Sequence, residues 1–413
     1  MKKILQILLI IHFSILIAQA QWIQQVSGTN QTLYDIEFLN RNTGWVVGVG
    51  GTIKKTTNGG VNWISISHPV GTKLLSSIHL VDSNYAYVVG DFETIIKTTD
   101  GGGSWIEIRD GLIGEGKSYG GLFFINRDTG WICGNGQYIL KTVDGGKHFD
   151  STYLFWGILT DMYFKDFNTG VMSGETGGTF KTTNAGVSWF RTPVSLPTNQ
   201  PSFRKLSFIN NDTGWIAGGD GRVFRTSNCG STWDSIHHLN TLPNVMYCAE
   251  FVNNNTGWVS GEEGIIYKTT DMGSSWVRQI SNINNLITSL WFYNDSIGWG
   301  SCGHGKIIHT INGGLTGIEQ LNNEVSNNFI LYQNYPNPFN GQTTFEFEVN
   351  EKNNYKFIIY DILGREISKL FDGNLNRGVY KINFNSEDLN SGTYFYRLIS
   401  EYNILTKTFQ LIK

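Results

Sequence analysis

The chain has 413 residues, 49 of them glycine and only 7 proline, with 14% aromatic and 16% charged residues. That is too apolar for a disordered chain and too rich in turn formers for a helical one. The net charge of −3 leaves no basic footprint, so nucleic acid is excluded as a partner.

The first segment stands apart from all that follows. Lys2 and Lys3 precede an almost unbroken apolar run from Ile4 to Ile17, and Ala18-Gln19-Ala20 fits a small-x-small cleavage site. Residues 1–20 therefore read as a secretory signal peptide, because the run falls short of the about 20 residues that a membrane span needs. The mature chain is expected to begin at Gln21 with no membrane span. No Cys follows the cleavage site to carry a lipid.

From Tyr34 onward a unit recurs about every 42 residues. Its first anchor is a Thr-Gly-Trp triplet, with Trp45, Trp131, Trp215, Trp258 and Trp299 in phase and Tyr87 and Val171 filling the same place in the second and fourth copies. The second anchor, T-x-[DN]-x-G-x-x-[WF], carries Asn58, Asp100, Asp144, Asn184, Asn228, Asp271 and Asn312 at its third position. Ten of the thirteen tryptophans sit at these anchors, which makes tryptophan here a structural residue. Each unit holds four short strand signals, in the first copy Thr32–Phe38, Gly44–Val49, Thr52–Thr57 and Trp63–Ser67, separated by Asn- and Gly-rich turns. Four strands per repeat at this period suit a propeller blade, and seven units suit a seven-bladed β-propeller over residues 21–317. The Asp or Asn of the second anchor is expected to bond backbone N–H groups of its own turn. The seventh unit lacks its fourth strand, yet Trp22-Ile23-Gln24-Gln25-Val26 stands unmatched ahead of the first. The mature N-terminus is expected to supply the missing outer strand and close the ring.

The second anchor resembles the Asp-box of sialidase-type propellers. Together with the preceding Thr-Gly-Trp strand it is similar to the repeats of the photosystem II assembly-factor propeller family. The resemblance implies fold and leaves function open, since Asp-boxes in such families are structural turns. It carries no photosynthetic role to this chain.

A polar stretch, 318–328, reads as a linker. Beyond it, alternating strands are expected at Thr343–Val349, Tyr355–Asp361, Val379–Phe384, Thr393–Ile399 and Thr406–Ile412, which makes residues 329–413 a small immunoglobulin-like β-sandwich. The segments LYQNYPNPFN at 331–340, YDILGRE at 360–366, SGTYFYRL at 391–398 and KTFQLIK at 407–413 closely resemble the type A C-terminal sorting domain of the type IX secretion system. This resemblance implies passage through the periplasm and recognition by the outer-membrane machinery of that system. The propeller would then remain at the cell surface or be released. The overall expectation is an all-β protein.

Propeller ligands bind where the loops joining second and third strands meet the loops between blades. Those loops carry Asp91, Glu93, Asn135, Glu175, Asp220, Glu262, Glu263 and His304. Six carboxylates at one channel mouth would create a negative field or supply paired acids for glycoside hydrolysis, although Asp and Glu are also common in exposed Gly-rich turns. Tyr153 and Trp156, on a loop between units, could stack on a sugar or tuck against the propeller. The arginines form no repeated cluster of the kind a sialidase needs, and no Ser-His-Asp arrangement, P-loop or HExxH occurs. Cys133, Cys229, Cys248 and Cys302 fall in separate places with no CxxC spacing, so neither a zinc site nor a disulfide framework is expected, and no cofactor. The leading expectation is a non-enzymatic binding module for a glycan or protein. A glycoside hydrolase using two loop carboxylates is the alternative, and a structural or assembly role through the same face is a third reading.

Overall fold

The computed structural model describes residues 22–108, 117–135, 138–154, 157–175, 178–194, 202–239, 245–314, 319–322, 329–386, 389–401 and 403–413. Residues 1–20, expected as a signal peptide, Gln21, expected as the start of the mature chain, and the loop residue Trp156 lie outside them. Chain contacts divide the protein into two compact units, Gln21–Gly314 and Leu315–Lys413.

The first unit is a propeller. Among the described residues it holds seven four-stranded antiparallel sheets. Their innermost strands are Leu33–Phe38, Leu75–Leu80, Tyr119–Phe124, Leu159–Phe164, Phe203–Phe208, Met246–Phe251 and Ile287–Phe292. Each packs against the next, and the last packs against the first. In the first sheet the chain then runs outward through Gly44–Gly48, Thr52–Thr56 and Ile64–Ser65.

The anchors are explained by what lies between sheets. The aromatic of the Thr-Gly-Trp triplet stacks on the last residue of the next sheet's innermost strand. Trp131 lies on Phe164 with ring centroids 3.6 Å apart, Trp215 on Phe251 at 3.9 Å, and Trp258 on Phe292 at 3.5 Å. Tyr87 does the same on Phe124 at 3.6 Å. The tryptophan after the Asp-box meets that same phenylalanine edge-on, as Trp189 meets Phe164 at 5.8 Å and Trp276 meets Phe251 at 6.0 Å. Burying such a side chain stabilises by about 1.5–3 kcal/mol, and parallel or edge-on contact adds about 0.5–1.5 kcal/mol per pair. The glycine of the triplet has its own cause. A Cβ on Gly44 would stand 2.4 Å from the Phe38 ring, and the same clash recurs at Gly130, Gly257 and Gly298.

Closure falls to the N-terminal strand. Ile23–Val26 pairs antiparallel with Lys306–Thr310, Ile23 opposite His309 and Val26 opposite Lys306, as the outer strand of the last sheet. Trp22 takes the place of the missing Asp-box tryptophan. It is fully buried, meets Phe292 edge-on at 5.7 Å, and its Nε1 donates to Gln279 Oε1 at 3.0 Å.

The second unit contains two four-stranded antiparallel sheets. Phe345 and Phe347 of one sheet pack on Phe357, Tyr396 and Phe409 of the other, with Phe345 and Tyr396 centroids 4.6 Å apart, so both sheets share one core. The LYQNYPNPFN segment is laced into it. Asn334 is buried, its amide donating to Thr343 Oγ1 at 2.9 Å and its backbone N–H to Tyr396 Oη at 3.0 Å. Phe339 enters the core, and its backbone N–H donates to Gln410 O at 3.1 Å.

The stretch expected as a linker is partly strand: Glu319–Asn322 pairs with Val379–Lys381 at the edge of a sheet. Its residues, Glu-Gln-Leu-Asn, lack the β-branched alternation that marks a strand, and edge position tolerates them. Glu366–Leu375, a ten-residue strand, was likewise not expected. All four cysteines are buried and free. Among the described residues no helix is long and apolar enough to cross a membrane.

Candidate functional site

The propeller has two faces of different character. On one, the Asp-box turns close on themselves. In the second sheet Thr98 Oγ1 donates to Asp100 Oδ1 at 2.8 Å and accepts from Gly102 N at 2.8 Å, while Asp100 Oδ1 accepts from Ser104 N at 2.9 Å. Asn58, Asp144, Asn184, Asn228 and Asp271 make the corresponding bonds, and Asn312 keeps its threonine partner at 2.9 Å. The hydroxyl of Ser104 and these N–H donors hold the Asp100 carboxyl well below the usual carboxylate range. With their polar atoms spent on the turn, these residues have little left for a ligand. Their carbonyls serve the neighbouring sheet instead: Trp131 Nε1 donates to Ala185 O and Trp258 Nε1 to Gly313 O, each at 3.0 Å.

The opposite face is built from the loops after the second strands, each tied to the loop entering its own sheet. Val49 N bonds Thr32 O at 2.8 Å and Gly303 N bonds Leu286 O at 2.8 Å. Here the candidate residues fall into local groups. The Glu93 carboxylate lies 4.0 Å from Lys117 Nζ, which sits 4.9 Å from the Tyr138 ring, and Tyr138 meets exposed Tyr153 edge-on at 5.3 Å. Asp91 and Asn135 brace that group. Asp91 forms a bridge with Ser118, and Asn135 Oδ1 accepts from Ser118 N at 2.6 Å. Glu175 pairs with Arg204 of the next sheet at 3.0 Å, and the Arg204 guanidinium lies 4.5 Å from the Tyr247 ring of the sheet after that. Asp220 pairs with Arg222 at 2.5 Å. Glu262 accepts from Val245 N at 3.2 Å. Glu263 and His304 are exposed with φ of 52° and 56°.

The channel wall holds a second polar cluster that sequence reasoning did not identify. Asp35, 2% exposed, accepts from Ser77 Oγ at 2.8 Å, Ser289 Oγ at 2.9 Å and Lys205 Nζ at 2.5 Å. Asp161 Oδ2 accepts from Leu206 N at 2.8 Å, and Glu37 Oε2 from Leu80 N at 3.0 Å, each tying one innermost strand to the next. Burial would lower the Lys205 ammonium, but Asp35 beside it prevails and holds it well above its ordinary value. Burial pushes Glu37 up to about 8, with Asp35 adding to it, Glu250 up to about 7 and Asp161 up to about 6. A partial signal was there: a charge at the third position of an innermost strand, Asp35 in Leu33–Phe38, Asp161 in Leu159–Phe164 and Lys205 in Phe203–Phe208. Among the described residues no three His, Cys, Asp or Glu are grouped to hold a metal ion.

These raised values make a prediction. The folded chain keeps a proton on Glu37 that the unfolded chain releases near 4.5. That contribution to stability is complete below about pH 4.5 and is lost as pH rises toward about 8. Glu37→Gln is expected to melt above the parent at pH 9, by an amount on the order of 1–2 kcal/mol, and the gap should shrink at pH 5. Parallel melting profiles from pH 5 to 9 would contradict the assignment.

A search of curated proteins gives no match. Among solved structures, "YCF48 bound to D1 peptide" is similar at TM-score 0.60 and 18% identity, over 71% of this chain and 95% of that one. "YCF48 from Cyanidioschyzon merolae" is similar at TM-score 0.57 and 17% identity, over 70% and 98%. The GH74 xyloglucanase from Xanthomonas campestris is similar at TM-score 0.57 and 9% identity, over 79% of this chain and 59% of that one. At such identities the likeness concerns fold alone. The family described as "Photosynthesis system II assembly factor YCF48" matches at residues 15–115, 63–156 and 155–300, more than half of the chain. The "Secretion system C-terminal sorting domain" matches at 333–413. The chain thus belongs to the YCF48 assembly-factor propeller family and ends in a type IX sorting domain, which marks it for export to the outer membrane, the cell surface or the medium.

Proposed function

We propose that the protein is an exported seven-bladed propeller that binds a glycan or protein through the face opposite its Asp-box turns. Residues 1–20 direct export, 21–317 form the propeller, and 329–413 form an immunoglobulin-like sandwich that engages the type IX outer-membrane machinery. The observation that carries the binding role is the pair of charged and aromatic groups at the rim, Glu93–Lys117–Tyr138–Tyr153 and Glu175–Arg204–Tyr247. Tyrosine and arginine are the residues most enriched at recognition surfaces, because each offers a large rigid face together with a polar end. The similar propeller "YCF48 bound to D1 peptide" supports a protein segment as one class of ligand.

Glycoside hydrolysis would require two carboxylates facing each other about 5–10 Å apart with a sugar between them. Glu93, Glu175 and Asp220 are each engaged by a cation of their own chain, an arrangement that favours recognition over chemistry. The binding role is tested by retention of residues 21–413 on immobilised polysaccharides and on peptide arrays. Retention should fall at least tenfold in a Lys117→Ala, Tyr153→Ala, Arg204→Ala variant whose melting temperature is unchanged. Equal retention by parent and variant would remove this face from the account.

A further inference from the structure

The seam where the N-terminal strand closes the last sheet contains a cavity of about 380 Å³, within the size range of small-ligand pockets, about 300–1,000 Å³. Its lining includes Gln24, Ser27, Thr29, Asn30, His304 and Lys306. It opens on the binding face, because His304 follows a second strand and Thr29 and Asn30 enter the first sheet. We infer that this cavity binds an acidic sugar unit, a uronate or a sulfated residue, with Lys306 and His304 facing its anionic group. The inference rests on the binding-module reading and gives that module a ligand class.

Three features support it. Among the described residues the side chains of His304 and Lys306 make no hydrogen bond or ion pair, in contrast to Lys117, Arg204 and Arg222 on the same face, which are all paired. Two basic groups beside one concavity, without a carboxylate of their own, leave a positive site for an anion. Besides Val26, Gly28 and Gly305, the remaining lining carries the amides of Gln24, Gln25 and Asn30 and the hydroxyls of Ser27 and Thr29, which offer donors and acceptors to sugar hydroxyls beside an apolar patch for a ring face. Finally, the walls are fixed. Ser27 Oγ donates to Gly305 O, and a Cβ on Gly305 would stand 1.9 Å from Thr29 O, so the loop and the N-terminal segment are in tight contact. His304 holds φ of 56°, the conformation that Gly50 adopts in the first sheet with φ of 68°. A side chain is disfavoured in that conformation, and here it places an exposed imidazole at the cavity edge. Pre-formed walls lower the ordering cost of binding.

Titration calorimetry on residues 21–413 tests the assignment with four probes: an oligogalacturonate, a sulfated heparin disaccharide, a neutral cello-oligosaccharide and inorganic sulfate. At least one acidic saccharide should bind, and affinity should fall at least tenfold in His304→Gly, Lys306→Gln. His304→Gly installs the residue type that the first sheet already uses at this φ, so the variant should melt no lower than the parent. Equal affinity for the neutral probe, unchanged affinity in the variant, or sulfate binding as tight as the saccharides would each overturn the inference. If the variant keeps a ligand retained through Lys117 and Arg204, the cavity assignment fails and the binding module stands. If nothing is retained at all, both fall.

Discussion

Removal of Trp22–Ser27 is expected to lower the melting temperature of the propeller by at least 10 °C. Those residues supply the outer strand of the last sheet, with four paired positions against Lys306–His309. They also supply Trp22, fully buried beneath Phe292 and bonded to Gln279. Truncating a buried tryptophan to alanine costs about 3–5 kcal/mol, and each kcal/mol moves the midpoint of a domain this large by about 2–4 °C. Trp22→Ala alone should therefore account for much of the loss. The deletion also exposes the strand Lys306–Thr310 as an unpaired edge, which invites aggregation. Thermal melts followed by tryptophan fluorescence, with light scattering alongside, report both effects. A deletion variant that melts with the parent would mean that the ring does not depend on this closure.

Loss of the second unit should leave the propeller folded and misplaced. A chain ending at residue 328 retains all seven four-stranded sheets of the first unit and lacks the residues 333–413 that match the sorting domain. The full chain is expected at the cell surface or in the medium, and the truncated chain in the periplasm. Fractionation with protease protection of intact cells distinguishes them. Surface exposure of the truncated chain would show that the sorting domain is dispensable for export.

Much of this architecture was legible because its causes are local and repeated. Gly44 and its equivalents must be glycine because an aromatic ring lies on them, and Asp100 must be a short acceptor because its own turn presents N–H groups. Requirements of that kind recur from copy to copy, the second having Ala86 opposite Leu80 in place of glycine and ring, and surface as a period. Trp22 was legible for the same reason, since it stands 41 residues ahead of Trp63, one period away. What stayed hidden depends on partners far apart in the chain. Asp35 and Lys205 meet across the channel at a separation of 170 residues; each strand shows its own charge, and nothing in either says that the two are partners. Among the loop candidates, the residue types were visible and their partners were not. Glu175 reads as a free acid until Arg204, on the next sheet, is placed 3.0 Å away. The strand Glu319–Asn322 was missed because an edge strand needs no apolar alternation, and its pairing with Val379–Lys381 comes from the fold of the second unit.

The most direct test of the central claim is an assay of residues 21–413 against the polysaccharides they retain, measured for release of new reducing ends. Retention without release, with retention weakened by alanine at Lys117, Tyr153 and Arg204, is the result expected of a binding propeller. Steady release of sugar ends, abolished by Glu175→Gln or Asp220→Asn in a variant that still melts like the parent, would contradict it and make the protein a glycoside hydrolase.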